Sequence, residues 1–345
     1  MFKIENTLSF NTDKLIPGTE YDYVTRTSLN QGVLQTTGFI NEENINSAGT
    51  WSLGLLQMDF FYRKNQWYAG QFVRKITPKI KINESSVLFF TTLLNKQKSR
   101  LLSVLVRNVD KTFLSTTIQL PINNGEIDFD FMENFVAELE SRRVAELESY
   151  LLATGLKDYT LTEEERNALD NYKTLKWFTY NLEELFGKST RGKRLKGDDR
   201  IAGTLPFVTA GEACEGISAF IGNKVEIFES NTATIDMFGS AKYRNYRYGA
   251  DDHVAVVHTE KIAYKAAIFT TSAIHKAAHT GKFDYGHNFY AKDADALDIM
   301  LPERDGLPDY KYMETLISAI QKLVIKDVVL YADRKIAETK AIITK

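Results

Sequence analysis

The chain repeats itself. The run Leu120-Pro121-Ile122-Asn123-Asn124-Gly125-Glu126-Ile127-Asp128-Phe129-Asp130-Phe131-Met132-Glu133 aligns without a gap with the run from Leu301 to Glu314, 181 residues on. Leu, Pro, Gly, Asp, Met and Glu coincide, and Tyr310 and Tyr312 face Phe129 and Phe131. Tyr23-Val24-Thr25 followed by Gly32-Val33 matches Phe207-Val208-Thr209 followed by Gly216-Ile217, 184 residues apart. Phe90-Thr91-Thr92 matches Phe269-Thr270-Thr271 at 179, and Tyr62-Arg63 ahead of Tyr68 matches Tyr243-Arg244 ahead of Tyr248 with one gap. A repeat this long is a duplicated domain, since stacked-repeat proteins have periods of about 20–50 residues. The length of 345 residues suits two domains, at about 100–200 residues each.

The first part of each copy reads as short strands and loops, for example 86–92, 101–106, 224–228 and 253–258, where β-branched and aromatic residues lie between Gly, Asn and Asp. The end of each copy reads as a long amphipathic helix. In the first, Met132, Val136, Leu139, Leu147, Tyr150 and Leu151 recur near helical spacing, with Glu138, Glu140, Arg142, Arg143, Glu146 and Glu148 on the other face. In the second, Met313, Leu316, Ile317, Ile320, Leu323, Val324, Val328 and Tyr331 keep a spacing near 3.5, which suits a seam against a partner helix. Asp130 and Asp309 stand where a carboxylate caps a helix or sits in its first turn. Between the copies, Gly155 can end the first helix, and Thr162-Glu163-Glu164-Glu165 is a capping-box pattern opening a short helix, 163–172. The expected organisation is a first domain at 1–128, a helix at 129–154, a structured linker at 155–176, a second domain at 177–308, and a second helix with a tail at 309–345. The fold class is α/β (α+β).

What the chain lacks narrows its chemistry. None of its six prolines is adjacent to another, so the Pro-Pro loop of an adenine or cytosine-N4 methyltransferase cannot form. Cys214 follows Ala213, not the proline that precedes the nucleophile of a cytosine-C5 enzyme. There is no Gly-x-Gly-x-x-Gly or Walker loop to cradle phosphates. His275-x-x-x-His279 would put two imidazoles on one helix face, but no Glu follows His275 and the first copy has no equivalent, so surface or structural histidines are the simpler reading. Pro308-Asp309 with Glu338-x-Lys340 loosely resembles a nuclease set, yet Asp309 belongs to the helix-starting repeat. These absences point to a binding protein. A net charge of −2 gives no overall pull toward nucleic acid, so such binding would rest on local basic patches or on a partner. A lone cysteine, an N-terminus unlike a signal peptide and apolar runs far short of the roughly 20 residues needed to span a bilayer lead to the expectation of a cytoplasmic protein without a membrane segment.

The runs Leu205-Pro206-Phe207-Val208-Thr209-Ala210-Gly211-Glu212, Gly216-Ile217, Thr232-Ala233-Thr234-Ile235-Asp236-Met237-Phe238-Gly239 and Tyr248-Gly249-Ala250-Asp251-Asp252 resemble the target-recognition domains of Type I restriction-modification specificity subunits (HsdS). The segment from Leu120-Pro121 to Glu140 is similar to the one that follows those domains in Type IIB, BcgI-like specificity subunits. The resemblance spans nearly the whole chain and includes its order. It implies two tandem target-recognition domains, each reading half of a bipartite double-stranded DNA target, and two helices pairing antiparallel. It also implies a non-catalytic chain without a cofactor, whose partners are methyltransferase or fused methyltransferase-nuclease subunits carrying S-adenosylmethionine and Mg. The first copy is leaner at its start and has Gln71-Phe72 where the second has Asp251-Asp252, so the two domains should read different sequences.

Phosphate contacts need Lys and Arg, and base edges need planar donors. The densest basic run is Lys188, Arg191, Lys193, Arg194 and Lys196, closed by Arg200; it reads either as a phosphate-contacting segment or as a solvated loop. Lys242, Arg244 and Arg247, interleaved with Tyr243, Tyr246 and Tyr248, form a second candidate patch. Arg63, Lys64, Arg74 and Lys75 are the counterparts in the first copy, and Thr25, Arg26 and Thr209 occupy a position where base preference could differ. Two other readings stay open. One is an adaptor whose two modules bind protein or RNA, and the other is an enzyme with an unrecognised centre, against which the missing motifs weigh.

Overall fold

The computed structural model describes residues 1–343, with side chains described as far as Glu338; Lys340 of the Glu338-x-Lys340 pattern has its side chain outside the described residues. The chain forms two compact units, one built on Met1–Leu147 and the other on Glu148–Ala337.

In the first unit, Phe2–Asn6, Val73–Pro78, Thr50–Gly54 and Phe60–Arg63 make an antiparallel four-stranded sheet in that order. A second sheet sets Tyr21–Val24 between Val33–Thr37, antiparallel, and Trp67–Ala69, parallel. Three short helices, Val87–Asn95, Lys98–Leu102 and Val109–Leu114, cover the first sheet. Their buried residues Phe90, Leu94, Leu101 and Phe113 join Trp51, Leu53, Phe60 and Ile76 in one core. Two expected strands are therefore corrected: 86–92 falls on a helix, and 101–106 is the end of a second helix followed by a turn. Val87, Phe90 and Leu94 are spaced to bury one helical face, and a short apolar run cannot separate that pattern from a buried strand.

The second unit repeats the plan. Thr190–Arg191, Val254–Val257, Thr232–Asp236 and Ala241–Arg244 form the four-stranded sheet. Ala202–Val208 lies between Ile217–Ile221 and, in parallel, Gly249–Ala250. The expected strand at 253–258 is present as Val254–Val257, whereas 224–228 contributes only a bridge from Phe228 to Tyr248. The helix Tyr264–Ala278 packs Ala266, Ile274 and Ala278 into the core and carries Phe269-Thr270-Thr271, just as its counterpart carries Phe90-Thr91-Thr92. A further strand, Trp177–Asn181, pairs antiparallel with Asp298–Arg304.

The long helices are Phe129–Ala153 and Tyr310–Ile343. Met132 and Met313, aligned in the repeat, are each fully buried in the core of their own unit. Asp309 caps the second helix by accepting from the Tyr312 N–H at 2.9 Å, and it pairs with Arg304 at 2.7 Å. In the first helix the cap is Asp128, accepting from Phe131 N–H at 2.8 Å, while Asp130 sits in the first turn. The apolar stripe of the second helix buries Met313, Leu316 and Ile317, but Ile320, Leu323, Val324, Val328 and Tyr331 are exposed. Gly155 takes a left-handed φ of 71° after the first helix, which costs a glycine little.

Within the second unit the linker runs back along the second long helix. Lys157 pairs with Glu148 at 2.6 Å and Asp333 at 2.5 Å. Lys322 reaches the Thr160 carbonyl at 2.8 Å and Glu165 at 3.0 Å, and the Tyr312 hydroxyl donates to the Ala168 carbonyl at 2.6 Å. The Thr162 capping box closes in both directions and starts the helix Glu163–Asp170.

Candidate nucleic-acid interface

Each unit carries the same unusual loop. After the strand Tyr21–Val24, the chain turns back through three successive left-handed residues, Asn30 (φ 45°), Gln31 (52°) and Gly32 (81°). The Thr25 N–H donates to the Gly32 carbonyl at 2.8 Å and closes the loop. In the second unit the same places hold Cys214 (47°), Glu215 (55°) and Gly216 (78°), with Thr209 N–H donating to Gly216 at 2.8 Å. Glycine is required at the last position. A Cβ on Gly216 would lie 2.7 Å from the Thr209 carbonyl oxygen, and left-handed backbone disfavours a side chain in any case.

Beneath each loop lies a buried arginine. Arg63 is 4% exposed, donates from Nε and Nη2 to the Ser52 hydroxyl at 2.9 and 2.8 Å, and donates from Nη2 to the Gln31 carbonyl. Arg244 is 1% exposed, donates from Nε to the Thr234 hydroxyl at 2.9 Å and from Nη1 to the Glu215 carbonyl at 2.9 Å. Trp67 flanks Arg63 at 6.0 Å and hydrogen-bonds Thr50, as Tyr248 flanks Arg244 at 5.9 Å and hydrogen-bonds Thr232. Burial pulls the Arg63 guanidinium down to about 10, with Asp22 acting against it, so it stays protonated at neutral pH. Arg63 and Arg244, both DNA-contact candidates from the sequence, are buried, and each donates from Nε and one terminal nitrogen to partners within the protein.

Beside the first loop opens a cleft of about 800 Å³, lined by Asn11, Thr25, Arg26, Gln57 and Gln71 among others. Parallel pairing of Tyr21–Val24 with Trp67–Ala69 brings Thr25–Arg26 beside Gln71. Arg26 is exposed, lies over the Phe72 ring at 5.3 Å and makes no described ion pair. Phe72 is itself exposed and left-handed (φ 61°), tied by its carbonyl to the Leu55 N–H at 2.9 Å.

In the second unit the basic run flanks the corresponding strand ends. Lys193 N–H donates to the Ala250 carbonyl at 3.0 Å, Leu195 N–H to Asp251 at 3.3 Å, and Asp251 N–H to the Val208 carbonyl at 2.9 Å. Lys188, Arg191, Lys193, Arg194 and Lys196 are exposed and make no ion pair among the described residues. The other candidates are occupied. Arg200 bonds the Leu195 carbonyl and Ser218 and stacks over Phe207. Lys242 reaches Glu212 at 3.2 Å, Arg247 pairs with Glu229 at 3.1 Å, Arg74 with Asp110 at 3.1 Å and Lys75 with Glu5 at 3.7 Å, while Lys64 pairs with Glu84.

His275 and His279 serve the fold. His275 Nδ1 accepts from the Ala241 N–H at 3.1 Å, and His279 stacks on it at 4.8 Å while bonding the Phe238 carbonyl. Gln57 and Asn11 could not be found from the sequence, and Gln71 stood out there only as a difference between the copies, because they reach the cleft from loops joined only by strand pairing. The Ser52/Thr234 hydroxyls, 182 residues apart, could have been found as a further match of the repeat.

Residues 1–149 match the family described as the Type I restriction modification DNA specificity domain. The chain is 23% identical over 270 residues, 77% of its length and 75% of the relative's, to the BcgI specificity subunit of a Type II restriction enzyme from Heyndrickxia coagulans. Its mixed α/β fold is similar to that of a Type I restriction-modification S subunit from M. genitalium, with a TM-score of 0.56 and 15% identity, covering 99% of this chain and 91% of that one. The first 149 residues thus resemble a restriction-modification DNA specificity domain, and most of the chain is similar to a restriction-enzyme specificity subunit.

Proposed function

We propose that this chain reads a bipartite target in double-stranded DNA, one half with each unit, and directs partner methyltransferase or fused methyltransferase-nuclease subunits to it. The observation that carries this reading is the twofold occurrence of one loop, strand and buried-arginine arrangement in a chain whose first 149 residues match a DNA specificity domain. S-adenosylmethionine and Mg belong to the partners. The cytoplasm is where such a complex would meet its DNA, and no described helix is long and apolar enough to cross a membrane.

The two units offer a duplex different chemistry. In the first, Arg26, Thr25, Gln57 and Gln71 present planar or hydroxyl donors from a cleft, the groups that read base edges in a major groove. The Phe72 ring under Arg26 restrains that guanidinium before any base arrives. In the second, Lys188, Arg191, Lys193, Arg194 and Lys196 are free for phosphates, beside Thr209 at the end of its strand. Where the basic run stands in the second unit, the first has the nearly neutral segment 7–20, so phosphate attraction is unequal between the halves.

The test is co-expression with the methyltransferase encoded beside this chain, followed by mapping of methylated bases in host DNA. A split motif with two fixed halves and a constant gap, lost without this chain, supports the reading. Methylation unchanged without it would move the adaptor reading to the front.

A further inference from the structure

We propose that Arg63 and Arg244 are positioning residues for the two reading loops, each setting its loop against the strands behind it. This rests on the DNA-reading function above and deepens it. Each guanidinium joins three elements: its own strand, a hydroxyl on the neighbouring strand (Ser52 or Thr234), and an inward-facing loop carbonyl (Gln31 or Glu215). The hydroxyls belong to the four-stranded sheets, whereas the carbonyls belong to loops leading into the three-stranded sheets. The bracing bonds thus fix the angle between the scaffold sheet and the loop that carries Thr25 and Arg26, or Thr209.

The chemistry selects arginine. A planar fork with several donors can reach a hydroxyl and a carbonyl in different directions at once, and it keeps its charge when buried. A lysine ammonium at the end of a flexible stem holds no such fixed angle. The loop also needs support, because three successive left-handed residues are not held by regular secondary structure. The bracing hydroxyl is serine in one unit and threonine in the other, so the hydroxyl itself is the shared requirement. The identical device in two units with different exposed residues separates the frame, which is kept, from the reading side chains, which vary.

The test uses the full chain co-expressed with its methyltransferase partner, with methylated motifs mapped for each variant. Ser52→Ala removes the acceptor of two guanidinium bonds while leaving the charge in place. It is expected to relax base preference in one half of the motif by about tenfold, the discrimination lost with one misplaced base contact. Ser52→Thr, which copies the second unit, should restore strict reading. Arg63→Lys should behave like Ser52→Ala, and Thr234→Ala should relax the opposite half alone. A uniform fall in methylation with both halves still strict would overturn the proposal, since plain destabilisation lowers the amount of complex without changing what it reads. Relaxation of both halves by one variant would overturn it as well. If the unaltered chain directs no split motif, the DNA-reading function itself fails, which is a distinguishable result.

Discussion

Replacing Lys322 with methionine should destabilise the second unit by about 2–3 kcal/mol. Removing one member of a buried ion pair costs roughly 3–5 kcal/mol, and the Lys322 side chain is 18% exposed, so solvent screening lowers the figure somewhat. Lys322 is the partner of Glu165, which is buried and already accepts the Thr162 N–H of the capping box at 2.8 Å. It also satisfies the Thr160 carbonyl at 2.8 Å, so methionine strands two acceptors. For a unit of this size, about 2–4 °C of Tm per kcal/mol implies a fall of roughly 5–10 °C. Glu165→Gln on that background keeps the box, which glutamine also closes, and removes the stranded charge, so most of the loss should return. The pH dependence has a definite sign. Burial pushes the Glu165 carboxyl up, but the Thr162 N–H, the Lys322 ammonium and the Ser318 hydroxyl outweigh it and hold it below its ordinary value of 4.5. A depressed carboxyl contributes stability above its unfolded value and loses it as pH falls through its folded value. The gap between wild type and Lys322→Met should therefore be full at neutral pH and shrink below about pH 4.5. Thermal and urea unfolding of the full chain at several pH values would measure this. A single variant within about 0.5 kcal/mol of wild type, or a double variant no better than the single, would refute the reasoning.

Three further outcomes follow from the same contacts. Arg26→Gln should change the preferred base at one position of one half-site, by about 1–3 kcal/mol of discrimination, and leave the other half unchanged; methylation mapping reads this directly. Lys193→Ala with Arg194→Ala and Lys196→Ala should weaken duplex binding by the assembled complex at every sequence alike and reduce its log–log salt slope by about 2–3, measured by titration across salt concentrations. Gly216→Ala puts its Cβ 2.7 Å from the Thr209 carbonyl and should cost at least about 1–2 kcal/mol from left-handed strain, checked by chemical denaturation.

The basic candidates show where local reading stops. Lysines and arginines among aromatic residues look alike along a sequence whether they face water or the core. Arg63 and Arg26 are both near the first loop, yet one bonds Gln31 and Ser52 from beneath while the other lies exposed over Phe72. Their roles depend on which face of a strand or loop each occupies, and that is set by strand register, not by residue type. The same gap explains the two missed helices in the first unit, where Phe90 and Leu101 are buried by neighbours far along the chain.

The sequence by itself determined the duplication, the two long helices, the capping box at Thr162 and the absence of the familiar methyltransferase motifs. These are signals carried by residues close in sequence or by repetition of one pattern at a constant offset. Tertiary structure alone decided which cations are exposed and which are buried, that Gln57, Gln71 and Arg26 share a cleft, and that Asp128 caps the first helix. Each of these depends on long-range pairing, as when Tyr21–Val24 lies parallel to Trp67–Ala69, or on the geometry of a helix end, where only the final turn of the chain selects which carboxylate meets a free N–H.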